Sequence, residues 1–224
     1  DLLDKGYATI QDQSSMLAAL SLQVEPNMKV LDTCSAPGGK ATYIGELMDN
    51  TGEIYAYDLH ENKTKLIEKN AERLGLTNIK VGQHDARKLQ STHEEKSFDR
   101  ILIDAPCSGL GVIRTKPDIK YEKQLKDIET LHEVQYSILE HVASLLKIDG
   151  KLIYSTCTVE KLENDEVVKK FLHNNENFEV DESFLNEMKR LIDKDRIVSE
   201  FGVQLFPHTI QSDGFYISRI IRKR

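Results

Sequence analysis

The segment MKVLDTCSAPGGKATYIGELMDN, residues 28–50, sets a pattern that the rest of the chain repeats. It begins with an apolar run at 28–33, which predicts a buried strand, and residues 39–50 have the apolar spacing of a helix. A turn rich in glycine, CSAPGGK, joins the two at residues 34–40. Strand, turn and helix in this order are typical of sheets whose strands run parallel.

Apolar runs and helical spacing alternate along the remaining sequence. Further strands are predicted at residues 53–58, 79–85, 98–104, 151–156, 203–207 and 214–221. Helices are predicted at residues 39–50, 61–75, roughly 121–147 and 164–175. This alternation predicts an α/β fold with a doubly wound, mostly parallel sheet, and a closing hairpin makes the last strand antiparallel. We expect residues 1–27 to form a lead-in region with one helix, followed by a single domain over 28–224.

The composition is that of a globular domain with a sizeable core. The chain is 39% hydrophobic and 30% charged, and no apolar run approaches the length of ~18 residues that a membrane span needs. Its three cysteines are odd in number and widely spaced, so no disulfide framework is predicted. Reduced thiols indicate a reducing compartment, the cytoplasm. No C-x-x-C or paired Cys/His spacing occurs, so no metal site is predicted.

The charge distribution leaves the question of nucleic-acid binding open. The net charge of −7 argues against it, because phosphate contacts need lysine and arginine. Basic residues nevertheless cluster in the segment 114–126 and at the carboxyl terminus: Arg114, Lys116, Lys120, Lys123, Lys126, Arg219, Arg222, Lys223 and Arg224. Without further evidence, such clusters are as consistent with a solvated surface as with a nucleic-acid-binding one.

The glycine-rich turn is a candidate ligand site. A turn between a strand and a helix directs backbone N–H groups at a ligand, and Gly38 and Gly39 allow close approach, while Pro37 restricts the entry to the turn. The pattern is neither G-x-G-x-x-G nor G-x-x-x-x-G-K-[ST], which disfavours a dinucleotide or a triphosphate. A tight turn without a ligand is the alternative. The candidate residues are Cys34, Ser35, Ala36, Pro37, Gly38, Gly39 and Lys40.

Three acidic residues stand at the ends of successive predicted strands: Asp58, Asp85 and Asp104. Asp58 lies 58 − 39 = 19 residues beyond Gly39, a spacing that suits hydrogen bonding to a ribose diol. Asp85 can accept a hydrogen bond from an adenine amine. Either carboxylate can instead cap a turn or helix. With the glycine-rich turn, the three acids predict an adenosine cofactor without pyrophosphate, and S-adenosylmethionine fits.

Two further motifs each place a cysteine directly after a predicted strand. Cys107 ends DAPC, residues 104–107, and Cys157 ends YSTC, residues 154–157. Parallel strands bring their carboxyl ends to one sheet edge, where ligands bind, so the two thiols are candidates for one active site. A thiolate is a strong nucleophile, whereas a cysteine buried in an apolar core is inert.

These motifs together resemble a known family. DTCSAPGGKAT (32–42), DAPCSGLGVIRTKPD (104–118) and YSTCTVEKLENDEVV (154–168) are similar to the RNA cytosine-5 methyltransferases of the Nol1/Nop2/Sun type. The resemblance runs over nearly the whole chain and is strongest to the bacterial enzymes that act on 16S ribosomal RNA. It implies a class I, Rossmann-like methyltransferase fold with seven strands and S-adenosylmethionine as cofactor. Because those enzymes carry an additional amino-terminal RNA-binding domain, we expect this chain to be a catalytic domain.

The resemblance also implies roles for the candidate residues. The turn from Cys34 to Lys40 would cradle the methionine end of the cofactor, Asp58 would bind the ribose and Asp85 the adenine amine. Asp104 would lie beside the reacting centre. Pattern alone does not decide between the cysteines, but the resemblance assigns nucleophilic attack to Cys157 and resolution of the adduct to Cys107. Cys34 is expected to be a packing residue that lines the turn.

The expected reaction is methyl transfer from S-adenosylmethionine to carbon 5 of a cytosine in RNA, most simply 16S ribosomal RNA, through a covalent cysteine–cytosine adduct. The basic residues of 114–126 then become candidate phosphate contacts, and a cytoplasmic monomer is expected. Three alternatives stay open from the residues: a non-catalytic RNA-binding module, an amino-group methyltransferase and an NAD-dependent oxidoreductase. The paired cysteines disfavour the first two, and the glycine pattern disfavours the third.

Overall fold

The computed structural model describes residues 1–122, 124–192 and 198–223, so that Lys123 and Arg224 of the basic clusters lie outside the described residues. The strands are β1 Lys29–Asp32, β2 Glu53–Asp58, β3 Ile79–Gln83, β4 Phe98–Asp104, β5 Leu146–Thr156, β6 Phe178–Val180, β7 Val203–Leu205 and β8 Phe215–Arg222. The α-helices are α1 Gln13–Ser21, α2 Gly39–Leu47, α3 Glu61–Arg73, α4 Ile119–Glu122, α5 Leu125–Ala143, α6 Asp165–Asn174, α7 Glu182–Ile192 and α8 Pro207–Ile210.

All described strands belong to one sheet, in the order β3-β2-β1-β4-β5-β8. Strands β1 to β5 pair in parallel, and β8 runs antiparallel to β5, which confirms the predicted α/β architecture. The sheet has eight strands and not the predicted seven. Two short strands share the outer edge of β8: β6 pairs with its end and β7 with its beginning. The missed strand, β6, is only three residues long, too short for an alternating pattern to reveal it.

Helices cover both faces of the sheet. Side chains of α5 and α6 pack on one face, and those of α1, α2 and α7 pack on the other. Strand β5 is consequently buried at every residue from Leu152 to Thr156. Burial on both faces explains why its sequence is a continuous apolar run without alternation. Each fully buried Leu, Ile or Phe side chain contributes roughly 1.5–3 kcal/mol to such a core.

The predicted first helix is present as α1, capped by Asp12, whose carboxylate accepts the Ser14 N–H at 2.9 Å. The long helix predicted over roughly 121–147 is divided instead. A new helix, α5, begins at Leu125 with reciprocal side-chain caps from Gln124 and Asp127, and it ends at Ala143. Within the described ranges, no helix has both the length and the apolarity to cross a bilayer.

Two arginines of the basic carboxyl-terminal cluster are structural. Arg219 is 1% exposed and its Nε lies 2.7 Å from Asp181 Oδ2, which links β8 to the start of α7. Arg222 is 8% exposed, and its Nη1 donates to the carbonyls of Ser144 and Leu146 at 2.8 Å. The interpretation of this cluster as a solvated or phosphate-binding surface is therefore wrong for these two residues.

The strand order changes direction beside β1, whose neighbours are β2 on one side and β4 on the other. The connections from β1 and from β4 leave the sheet in opposite directions, and a crevice opens between the loops at their carboxyl ends. The glycine-rich turn follows β1 here, and the first cysteine motif follows β4. The second cysteine motif follows β5, the next strand along the edge.

Candidate active site

A cavity of about 400 Å³ opens at the carboxyl ends of β1, β2, β3 and β4. Five of the predicted site residues line it: Cys34, Ala36, Asp58, Asp85 and Asp104. Lys63 of α3 lines it too, and the remaining lining residues were not singled out from the sequence: Thr33, Leu59, His60, His84, Ala86, Arg87, Pro106, Val134 and Ile138. Most of these additional residues lie directly after a strand, and this position in the sequence is the feature from which they could have been predicted.

The glycine-rich turn passes under this cavity in a conformation that needs glycine at one position. Gly38 has φ of 103°, and a Cβ there would lie 3.0 Å from the Cα of Ile67. Its N–H donates to Ser35 O at 2.7 Å, which closes the turn before α2 begins. Gly38 is buried and Pro37 is exposed, and both, with Ser35, Gly39 and Lys40, lie outside the cavity lining.

Asp58 joins the turn to the end of β2. Its carboxylate accepts the Ala36 N–H at 3.3 Å and the His60 N–H at 3.1 Å. The side chain is nearly buried and borders the cavity, with acceptor capacity left beyond these two backbone bonds. The carboxylate is thus held in place by the backbone and can accept hydrogen bonds from a bound diol.

Asp85 serves as a cap and a cavity residue at once. It precedes a 3-10 helix, Ala86–Ser91, and its carboxylate accepts the Arg87 N–H at 3.0 Å. The Arg87 guanidinium also contacts it at 2.7 Å, and this hydrogen bonding holds the pKa of Asp85 below its usual value. Much of the acceptor capacity of Asp85 is therefore used within its own loop.

Two buried polar groups that the sequence analysis passed over lie at the end of β1. The carboxylate oxygens of Asp32 and the hydroxyl of Ser35 have no hydrogen-bond partner among the described residues. Burial raises the pKa of Asp32 to about 7, and the nearby Ser35 hydroxyl opposes this only in part. The available signal was an acidic residue closing an otherwise apolar strand.

Lys40 points away from the cavity lining toward the cysteine motifs. Its Nζ lies 2.7 Å from Asp104 Oδ2, and Ser155 Oγ donates to the other oxygen of Asp104 at 2.9 Å. Burial disfavours the charged lysine, but the Asp104 carboxylate raises the pKa of Lys40 above its ordinary value. The ammonium also lies 5.4 Å from the centre of the Phe215 ring. Asp104 is thereby fixed at the end of β4 from two sides.

Cys107 and Cys157 come together as predicted from their places after β4 and β5. Their sulfur atoms are 3.1 Å apart, and both side chains are partly buried thiols. The hydrogen bond between them lowers the pKa of Cys157, against opposing effects of burial and of Asp104, and Lys40 adds to the lowering. The same contact and burial raise the pKa of Cys107. Of the two thiols, Cys157 is thus the one whose pKa is lowered, which favours its deprotonation over that of Cys107.

Cys34 differs from these two thiols. Burial raises the pKa of its thiol to about 12, and the side chain packs against the main apolar cluster. Its sulfur accepts only a weak contact from the Thr33 hydroxyl at 3.7 Å.

The basic segment follows the Cys107 loop on the protein surface. Arg114, Lys116 and Lys126 are exposed, and Arg114 is 3.7 Å from Asp213. Tyr121 is 79% exposed. Tyr136 instead packs between α5 and α6, where its hydroxyl accepts from Asn174 at 2.9 Å and Lys170 lies 4.3 Å from its ring.

The sheet order and the turn after β1 are those of the S-adenosylmethionine-dependent methyltransferase fold. A solved SAM-dependent O-methyltransferase from Thermotoga maritima shares the fold, with a TM-score of 0.57 and 16% identity over 96% of this chain and 67% of its own. The chain belongs to the 16S rRNA methyltransferase RsmB/F family, whose profile matches residues 19–221. This match confirms the resemblance seen in the three motifs.

Individual relatives agree with this assignment. A probable ribosomal RNA small subunit methyltransferase B of Bacillus subtilis (strain 168) is 49% identical over 219 residues, which are 97% of this chain and 48% of the relative. The solved structure of NSun6 from Pyrococcus horikoshii with SFG, an analogue of S-adenosylmethionine, has a TM-score of 0.84 and 31% identity over 100% of this chain and 55% of its own. The chain spans about half the length of the curated relatives it matches.

Proposed function

We propose that this chain transfers a methyl group from S-adenosylmethionine to carbon 5 of a cytosine in RNA, through a covalent adduct on Cys157. The observation that carries the proposal is the 3.1 Å contact between the sulfur atoms of Cys107 and Cys157, near Asp104, which lines the cavity. An amino-group methyltransferase has no use for such a pair of thiols, and neither has a non-catalytic RNA-binding module.

The residues around the cavity fit the cofactor. Asp58 offers oxygens to the ribose diol, and Asp85 offers its remaining acceptor capacity to the adenine amine. The methionine end is proposed to lie at the turn, where the oxygens of Asp32 and Ser35, which have no hydrogen-bond partner among the described residues, suit a charged ammonium group. When bound, S-adenosylmethionine supplies an electrophilic methyl group.

Carbon 5 of cytosine is a poor nucleophile until carbon 6 is attacked. The Cys157 thiolate forms an Sγ–C6 bond, and the electron pair of the C5–C6 double bond becomes available at carbon 5. This is nucleophilic catalysis, which divides one hard step into easier ones. The hydrogen bond from Cys107 and the charge of Lys40 lower the pKa of Cys157 and so favour its thiolate.

Cys107 is the group best placed to resolve the adduct. Once the charge of Cys157 is consumed in the Sγ–C6 bond, the contact that raises the pKa of Cys107 is lost, and Cys107 can release its proton to solvent. The Cys107 thiolate then takes the proton from carbon 5. The electron pair of that C–H bond restores the double bond, and the Sγ–C6 bond breaks to return the Cys157 thiolate.

Asp104 is proposed to orient the cytosine. Lys40 and Ser155 each engage one of its oxygens, which leaves free lone pairs on a carboxylate that borders both the cavity and the cysteines. A hydrogen bond from the cytosine edge to Asp104 places carbon 6 toward Cys157. The target base has to leave any stack for this, as enzymes acting on bases require.

The substrate is proposed to be small-subunit ribosomal RNA, because the matched relatives are named as methyltransferases of that RNA. The exposed Arg114, Lys116 and Lys126 provide phosphate contacts beside the Cys107 loop. We propose in addition that residues 28–224 form the catalytic unit, preceded by the lead-in region 1–27, and that it acts as a monomer in the cytoplasm.

Denaturing gels of two single variants test this mechanism. Each variant is incubated with S-adenosylmethionine and unmethylated small-subunit ribosomal RNA, with Ser97→Ala, at the opposite end of β4, as the control. Cys107→Ser is expected to give a retarded protein–RNA band, because its adduct forms and is not resolved. Cys157→Ser is expected to give no band and no methylation, while Ser97→Ala methylates normally. Full turnover by both Cys107→Ser and Cys157→Ser contradicts the mechanism, and a band with Cys157→Ser alone reverses the two roles.

A further inference from the structure

Behind the two cysteines lies a buried carboxylate that the mechanism above does not use. Glu163 is 0% exposed and ends a short 3-10 helix, Lys161–Glu163, between β5 and α6. Among the described residues no cation lies within 4.0 Å of it, and its partners are neutral donors. Burying a carboxylate without a nearby cation costs roughly several kcal/mol of folding free energy. Packing alone therefore does not explain why Glu163 is here.

The partners of Glu163 flank Cys107 on both sides. Its carboxylate accepts the Ser108 N–H at 2.8 Å and the Ser108 hydroxyl at 2.5 Å. It also accepts from Gln135 Nε2 at 3.0 Å, and the same amide donates to the carbonyl of Pro106 at 2.9 Å. The residues before and after Cys107 are thus held by one carboxylate, directly or through one amide.

The loop of Cys157 is connected to the same group. The Ser108 and Thr158 hydroxyls are 2.9 Å apart, and the Tyr154 hydroxyl donates to the backbone carbonyl of Glu163 at 2.6 Å. Because a carboxylate only accepts, Ser108 must donate to Glu163 and receive from Thr158. Hydrogen bonds aligned in this way from Thr158 through Ser108 to Glu163 strengthen one another.

We propose that Glu163 is a positioning residue that, through Ser108 and Thr158, holds the Cys107 thiol against the Cys157 sulfur. The inference rests on the proposed function, in which this contact prepares the nucleophile and later resolves the adduct. Glu163→Gln replaces one acceptor oxygen of the carboxylate by an amide donor, at a place where three donors converge. The Ser108 loop has to move, and Cys107 no longer donates well to Cys157.

The test measures the thiol and the reaction separately. The titratable groups that face Cys157 are Cys107 and Asp104 from the β4 side and Lys40 from α2. Glu163→Gln leaves the last two unchanged, so a change in the reactivity of Cys157 reports on Cys107. Iodoacetamide alkylation of Cys157 is followed against pH by peptide-resolved mass spectrometry, which needs neither RNA nor cofactor.

For Glu163→Gln we expect the alkylation midpoint of Cys157 to rise by about one pH unit, and methylation at pH 7 to fall about tenfold and recover at pH 9. Ser108→Ala and Thr158→Val, which shorten the same chain, shift the midpoint in the same direction. Asp165→Asn is the matched control. The Asp165 carboxylate, two residues after Glu163, accepts from the Ser199 and Tyr216 hydroxyls at 2.8 Å, away from the cysteine loops. The alkylation midpoint of Cys157 is therefore expected to stay that of the parent protein in Asp165→Asn.

An unchanged midpoint in Ser108→Ala and Thr158→Val overturns the inference even where Glu163→Gln fails to fold. An equal shift in Asp165→Asn also overturns it, since the effect would then be general loosening. A shifted midpoint in a protein whose parent methylates no RNA supports the positioning role and counts against the proposed function instead.

Discussion

The two halves of the catalytic edge are built differently. In the cofactor half, after β2 and β3, the acids are held largely within their own loops: Asp58 by His60 and Asp85 by Arg87, each two residues away. In the cysteine half, after β4 and β5, the contacts join residues far apart in sequence. Cys107 and Cys157 are separated by 50 positions, and Ser108 and Glu163 by 55. The acids of the first half are held mainly by nearby backbone groups, whereas the contacts of the second half join segments that only folding brings together.

This difference predicts that changes in the cofactor half weaken cofactor binding and spare the thiols, whereas changes in the cysteine half slow the reaction and spare binding. Asp104 stands where the halves meet, because it lines the cavity and also pairs with Lys40. Variants at these positions therefore show whether cofactor binding and the cysteine reaction can be changed independently or only together.

The largest effect is expected at the meeting point. Asp104→Asn keeps the size of the side chain but removes the charge that engages Lys40 and orients the cytosine. We expect the single-turnover rate of methyl transfer at saturating cofactor to fall about 10³-fold, as when an electrostatic group of an active site is removed. Ser97→Ala is the control, because Ser97 directly precedes β4 and so lies at the end of the strand opposite to the catalytic edge. A loss of less than tenfold would remove Asp104 from the reaction.

A smaller and purely binding effect is expected from Asp58→Ala. The lost hydrogen bonds of a carboxylate to the ribose correspond to about 1.5–3 kcal/mol, or a 10- to 100-fold rise in the Kd for S-adenosylmethionine. Isothermal titration gives the Kd, and alkylation of Cys157 is expected to stay unchanged. Glu68→Ala, an exposed carboxylate on α3, is the matched control. Altered thiol reactivity in Asp58→Ala would show that the halves are not independent.

Asp85→Ala is expected to affect binding less, since Arg87 already occupies much of this carboxylate. We expect a rise of about fivefold in the Kd, near 1 kcal/mol, together with some loss of stability from the missing cap. Titration calorimetry and thermal unfolding of the same samples separate the two contributions. An effect as large as that of Asp58→Ala would indicate that Arg87 releases Asp85 when the cofactor binds.

An effect of a different kind, on stability and on its dependence on pH, is expected at Asp32. With a pKa of about 7 in the folded protein, Asp32 keeps a proton that the unfolded chain releases near pH 4. Its contribution to stability is present below the unfolded pKa and is lost as the pH rises through the folded one. The side chain introduced by Asp32→Asn does not titrate, so this variant does not share the loss of stability of the parent between pH 5 and pH 8. Its Tm relative to that of the parent is expected to rise over this range, by about 2–4 °C for each kcal/mol that the parent loses. A constant difference in Tm would place the pKa of Asp32 near its ordinary value.

Local patterns carried most of the fold. The parallel strands, the capped first helix and the turn after β1 each follow from apolar periodicity and from glycine at fixed places, which act over a few residues. The sheet edge beyond β8 followed only in part: the strand predicted at 203–207 is present as β7, whereas β6 was missed, because it is three residues long and owes its pairing to β8. The buried Arg219 and Arg222 could not be distinguished from surface charges, since their partners are distant in sequence.

The sequence by itself determined the class of the protein, the edge of the sheet where chemistry occurs and the two candidate thiols, because each motif is a short segment whose meaning depends on its own residues. Only the tertiary structure decided how the residues pair. It directs Lys40 from the turn to Asp104, leaves the buried carboxylate of Asp32 without a hydrogen-bond partner among the described residues, and gives Cys157 a lower pKa than Cys107. Charge, burial and hydrogen bonding depend on neighbours brought from other strands, and those neighbours are defined only once the sheet has formed.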